Sequence, residues 1–285
     1  MSLSSNFQIF NLVSADGTAL KGRFWKPGKE PWAVLILVHG IGEHSGRYHQ
    51  WAQQFTQQQI LVYALDYRGH GLSAGNRGHI NNISEWLDDI GALVKRVRRH
   101  HAVLPVFIYG HSMGGNLVLN FLVKRHQNFA GAVITSPWLE LVKYPAAWKL
   151  SFGKLADKFF SSLTLSTGIK SSGLTSIYEN QEAADKDVLM HGKITIRTFF
   201  ELEKGAREIM DHAGEISVPL LICHGDADPI TRHEASLALS KANPTLFTFL
   251  SYPGALHELH SEPSAGALFH DIINWIKSVD KGLKR

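Results

Sequence analysis

Two short β-rich segments come first, FQIFNLV (residues 7–13) and ALKGRFW (19–25), separated by the turn residues Ala15-Asp16-Gly17-Thr18. That combination predicts a hairpin. The pattern then changes to runs that are apolar at every position: WAVLILVHG (32–40), ILVYALDY (60–67), PVFIYG (105–110) and AGAVITSP (130–137). Stretches with helical spacing follow the first three, near 47–59, at 84–100 and at 114–125. From 138 to 216 the rhythm breaks into helical stripes and Ser/Gly-rich connectors such as SSLTLSTGIKSSGLTS. It resumes with VPLLICHG (218–225), a helix near 232–241, the strand TLFTFLSY (245–252) and a last helix around 265–280.

A strand that is apolar throughout is buried on both faces, and helical crossovers between such strands imply a parallel sheet. The expected fold is therefore α/β, a mostly parallel central sheet with the N-terminal hairpin as its antiparallel edge. Residues 6–137 and 217–281 make the core, and 138–216 form a helical cap inserted between two strands of one sheet. No internal repeat is evident, and no disordered linker marks a second independent domain.

Composition narrows the class. With 285 residues, 44% apolar and 19% charged, the chain can bury a sizeable core. No apolar run reaches the roughly 20 residues of a membrane-spanning helix, and the polar opening MSLSSN does not read as a signal peptide. A cytoplasmic protein is expected. The single cysteine, Cys223, cannot form an internal disulfide and lies in an apolar run, as a buried structural thiol does. The net charge of +4 raises the question of nucleic acid. The one basic cluster, KRVRRHH (95–101), ends a helix whose apolar positions Trp86, Leu87, Ile90, Leu93, Val94 and Val97 keep helical spacing. It reads as a solvated helix C-terminus, where cations are favoured, and not as a nucleic-acid surface.

In parallel α/β sheets ligands bind at the carboxyl ends of the strands. Those ends carry His39 to His44, Asp66 to Gly71, Ser112, Asp226 with Asp228, and His257. Ser112 sits in YGHSMGGN between a strand and a helix, the setting that exposes a serine hydroxyl on a strained turn; the bare Gly-x-Ser-x-Gly pattern is too short to carry the argument alone. The chain order Ser, Asp, His is the one expected of α/β-hydrolases. Ser112 needs a base, His257 titrates near working pH, and an aspartate would fix the imidazole's tautomer. Two amides aimed at the developing oxyanion are expected from Ile41 and Met113. A metal is not expected: HELH (257–260) has the wrong interval for a two-histidine zinc helix.

Together HGIGEHSGRY, DYRGHGLS, GHSMGG, HGDADPIT and GALHELH resemble the monoacylglycerol lipase and lysophospholipase-like group of α/β-hydrolases, also described as serine aminopeptidase-like. The resemblance implies a serine hydrolase without a cofactor, with a helical lid over an acyl tunnel. It selects Asp228 as the acid and leaves Asp226 as a turn residue. It also implies that Glu43, Arg47 and His260 hold the alcohol end of the substrate, with Ala184 standing where the family's lid has a tyrosine. The expected substrate is a single-chain lipid ester, most of all monoacylglycerol. Lysophospholipid or general esters, aminoacyl amides and non-catalytic lipid binding are the alternatives.

Within the cap, Trp148, Phe152, Leu155, Phe159 and Leu163 keep helical spacing, with Lys149, Lys154 and Lys158 outside the stripe. Such a stripe can line an acyl tunnel, dip into a lipid surface as a peripheral contact, or pack the cap on the core. The sequence leaves these three open, as it does the oligomeric state.

Overall fold

In the computed structural model, which describes residues 7–125 and 128–283, strands β1 (Phe7–Val13) and β2 (Ala19–Trp25) pair antiparallel with Phe7 opposite Trp25. The opening MSLSSN lies outside the described residues. After the hairpin come β3 (Ala33–Val38), α1 (His49–Gln57), β4 (Ile60–Asp66), α2 (Ile83–His100), β5 (Val106–His111), α3 (Met113–Arg125) and β6 (Gly131–Thr135). The alternation returns with β9 (Leu220–Gly225), α8 (His233–Ser240), β10 (Phe247–Tyr252) and α9 (Ala265–Leu283). Between β6 and β9 lie α4 (Ala147–Asp157), β7 (Thr164–Ser166), α5 (Ser171–Leu174), α6 (Tyr178–Lys186), β8 (Lys193–Thr195) and α7 (Ile196–His212).

The eight-stranded sheet runs β1-β2-β4-β3-β5-β6-β9-β10, antiparallel at β1-β2 and β2-β4 and parallel from β4 onward. Alternate side chains of one strand feed opposite layers: Val34, Ile36 and Val38 pack with α2 and α3, while Leu35 and Leu37 pack with α1 and α9. Two covered faces are why these strands show no polar alternation. Cys223 is buried in the second layer, where burial pushes its thiol up.

The segment between β6 and β9 sits on the carboxyl end of the sheet. Asn116 of α3 donates to the Leu202 carbonyl of α7 at 3.2 Å, and the His191 amide donates to the Gly42 carbonyl at 2.8 Å. Its aromatic stripe corrects one expectation. The helix ends at Asp157, so Phe159 and Leu163 fall in the turns beyond it. The stripe also does not pack the segment on the core: Gly153 and Ala156 form the inner side of α4, Gly153 facing Phe200, and Trp148, Phe152, Leu155, Phe159 and Leu163 are exposed. Small residues allow the close approach, which leaves the large ones outside.

Candidate active site

Ser112 stands between the end of β5 and the start of α3 with φ 55°, a left-handed conformation costly for a residue with a Cβ. The surroundings over-determine it. Its amide donates to the Thr135 carbonyl at 3.0 Å, and its carbonyl accepts from the amides of Asn116 and Trp138. Gly114 is needed because a Cβ there would run into the carbonyl oxygens of Val38 and His39. At Gly110 a Cβ would meet the Gly114 carbonyl. Close backbone approach, and not freedom of φ, explains these two glycines.

The Ser112 hydroxyl lies 2.8 Å from His257 Nε2, and His257 Nδ1 lies 2.7 Å from Asp228 Oδ2. A carboxylate only accepts, so Nδ1 carries the proton and Nε2 is free to accept from the serine. Asp228 is held on every side: Oδ1 accepts from the amides of Ile230 and Thr231, and Oδ2 accepts from the Thr231 hydroxyl at 2.9 Å and from His224 Nε2 at 3.0 Å. Burial works against its charge, yet His257 and these donors hold it well below the usual carboxylate range. Burial likewise acts to lower His257, but the Asp228 carboxylate outweighs it and lifts the imidazole above its ordinary value. Asp226 instead accepts from the Gly254 amide at 2.7 Å and is exposed, a turn residue.

The loop after β3 closes the other side. A Cβ on Gly40 would stand 3.2 Å from that of Ser112, so Gly40 and Ile41 lie against the elbow. Met113, the first residue of α3, follows Ser112 directly, and a first-turn amide has no partner inside its own helix. Glu43 shapes this loop by accepting from the Gly40 amide at 2.5 Å and the Tyr48 hydroxyl at 2.8 Å. His39 is structural here: its Nε2 accepts from the Tyr67 amide, and burial lowers it to about 4.

A cavity of about 230 Å³ opens above Ser112 and His257, with Leu174, Ala184 and Met190 of the inserted segment on its far wall. Of the residues matched to the alcohol end, Glu43 and Arg47 line it and His260 does not. The turn at Leu259–Ser261 carries His260 away onto Tyr48, the rings 4.7 Å apart at 23°. Sequence reasoning missed Glu258, which does line the cavity and grips Arg47 with both oxygens, at 2.5 and 3.0 Å. It also missed His224 and Thr231 beside the acid. In the sequence Glu258 stands out only as part of HELH, and its position directly after His257 is the available signal. Among the described residues no group of histidine, cysteine and acidic side chains is arranged to hold a metal.

A family model described as serine aminopeptidase, S33, matches residues 29–264. The chain belongs to this hydrolase family. Proteins similar to it include human monoglyceride lipase, 32% identical over 93% of this chain and 89% of that protein. An abhydrolase domain-containing protein of Dictyostelium discoideum is 33% identical over 94% of this chain, which spans only 29% of that protein's length. Among solved structures, the monoacylglycerol lipase of Paleococcus ferrophilus superposes with a TM-score of 0.83 at 27% identity, covering 91% of this chain and 99% of the other. The α/β sheet expected from the strand pattern, and the α/β-hydrolase fold implied by the motif resemblance, are the fold this chain shares with that lipase.

Proposed function

We propose that this enzyme hydrolyses monoacylglycerols through an acyl intermediate on Ser112. The observation that carries the reading is the continuous relay from Ser112 through His257 to Asp228, at 2.8 and 2.7 Å, opening into a cavity partly walled by apolar side chains. The names of the relatives support the substrate class.

In the reaction, the Ser112 oxygen attacks the ester carbonyl as His257 Nε2 takes its proton. The amides of Ile41 and Met113 stabilise the tetrahedral oxyanion. Asp228, ionised at working pH, stabilises the imidazolium and keeps the proton on Nδ1. His257 then protonates the departing glycerol oxygen, leaving an ester on Ser112. Water, deprotonated by the same nitrogen, releases the fatty acid and restores the serine.

An aminopeptidase reading would need a free carboxylate for a substrate amino group. Glu43 is poorly suited to this, since its oxygens already accept from Gly40, Tyr48 and Arg47. We further propose that the exposed side chains around Trp148 and Phe159, with Lys149, Lys154 and Lys158 nearby, rest on a lipid surface where the substrate resides. No helix among the described residues is long and apolar enough to cross a membrane.

The test is a hydrolysis panel of 1-acylglycerols, lysophospholipids, p-nitrophenyl esters of rising chain length and aminoacyl amides, with Ser112→Ala as control. Preference for 1-acylglycerols is expected. Preference for aminoacyl amides or lysophospholipids would sink the assignment.

A further inference from the structure

His257 must stand beside the leaving oxygen to protonate it, so the alcohol departs on the His257 side of the cavity. Glu258, the next residue, walls that side; its carboxylate is 2% exposed, and its amide donates to the Leu174 carbonyl of the inserted segment at 2.7 Å. Arg47 is the one arginine or lysine among the described residues lining the cavity, and it is already engaged. Glu258 takes it in a two-point pair, and Glu43 accepts from the same guanidinium at 3.1 Å. Two carboxylates around one guanidinium leave a net negative charge, and Asp185 and Asp187 add two more acids to the wall. Asp187 accepts from His44 Nε2 at 2.8 Å, while His44 Nδ1 accepts from the Gly46 amide. An engaged guanidinium is a poor receptor for an anion, and the buried excess of negative charge of Glu43 and Glu258 over Arg47 repels one.

We propose that Glu258 determines the charge of the leaving alcohol: by occupying Arg47 it makes this side of the site favour cationic over neutral leaving groups and reject anionic ones. The inference rests on the esterase reading of Ser112. It goes further by assigning charge selectivity to a residue outside the catalytic relay. Burial works to raise the Glu258 carboxyl, but Arg47 more than offsets this, so the negative charge persists at neutral pH.

Two pairs of decanoyl esters test it. Decanoylcholine and 3,3-dimethylbutyl decanoate share a shape and differ by one charge, as 1-decanoylglycerol and its 3-phosphate differ by a phosphate. The wild-type enzyme is expected to favour the choline ester over its neutral isostere by at least about ten-fold in kcat/KM, and 1-decanoylglycerol over its phosphate by more. Glu258→Gln should shrink both ratios by about ten-fold or more. Equal ratios in wild type and Glu258→Gln would overturn the proposal. If that variant does not fold, the wild-type choline pair decides alone, and equal rates there overturn it. Failure to cleave 1-decanoylglycerol at all would instead count against the monoacylglycerol reading.

Discussion

His257 Nε2 and the Ser112 hydroxyl, 145 residues apart in the chain, face each other at 2.8 Å. Three strand ends produce this: β5 ends one residue before the serine, the turn after β9 supplies Asp228, and the loop after β10 supplies the histidine. Parallel strands that end on one edge deliver their following residues to one place.

Ser112→Gly should be inactive yet at least as stable as wild type. Glycine relieves the left-handed backbone at φ 55°, worth about 1–3 kcal/mol, against an unfolded-state entropy cost of about 1 kcal/mol. Thermal unfolding of wild type, Ser112→Ala and Ser112→Gly is the check, with the glycine variant highest. A glycine variant less stable than the alanine one would remove strain from the account.

The lifted His257 sets the acid limb of the pH profile. The base works only when neutral, so a raised imidazole moves the loss of kcat/KM on acidification to a higher pH, with a midpoint above the ordinary histidine value. Asp228→Asn removes the lifting charge. It should shift that midpoint down and lower kcat by about 10⁴-fold, through the wrong tautomer. A midpoint that does not move would mean that Asp228 does not control the base.

Gly114→Ala tests the packing of the elbow. The added Cβ meets the carbonyls of Val38 and His39, which belong to the sheet and its oxyanion-side loop and cannot turn aside as a side chain can. A loss of about 1–3 kcal/mol in denaturant unfolding, with a larger fractional loss of kcat, is expected. An unchanged kcat would show that the loop tolerates displacement.

Much of this arrangement is legible along the chain. Fully apolar strands and interleaved helical spacing give the sheet, and reading the strand ends gives Ser112, His257 and the two aspartates Asp226 and Asp228, between which the resemblance selects Asp228. The supports of the site are not legible in the same way. His224 and Thr231 lie near Asp228 in sequence, but that they donate to it depends on the turn's shape. Glu258 reaches Arg47 across 211 residues, a pairing no local pattern encodes. The end of α4 at Asp157 was hidden because apolar spacing continued through the turns that follow, and His260 faces Tyr48 because a short turn redirects it.

Trp148→Ser combined with Phe159→Ser should leave stability within about 0.5 kcal/mol of wild type, because both side chains are exposed, 69% and 75%. Turnover of a soluble p-nitrophenyl ester should be unchanged, while cosedimentation with phosphatidylglycerol vesicles should fall several-fold. Undiminished vesicle binding would rule out this patch as the lipid contact.

The most direct measurement is release of decanoic acid from 1-decanoylglycerol by wild type and Ser112→Ala at matched concentration. Turnover by wild type and its near-complete loss in the variant are predicted. Equal release by the two proteins, or none by either, would contradict a Ser112-dependent monoacylglycerol hydrolase.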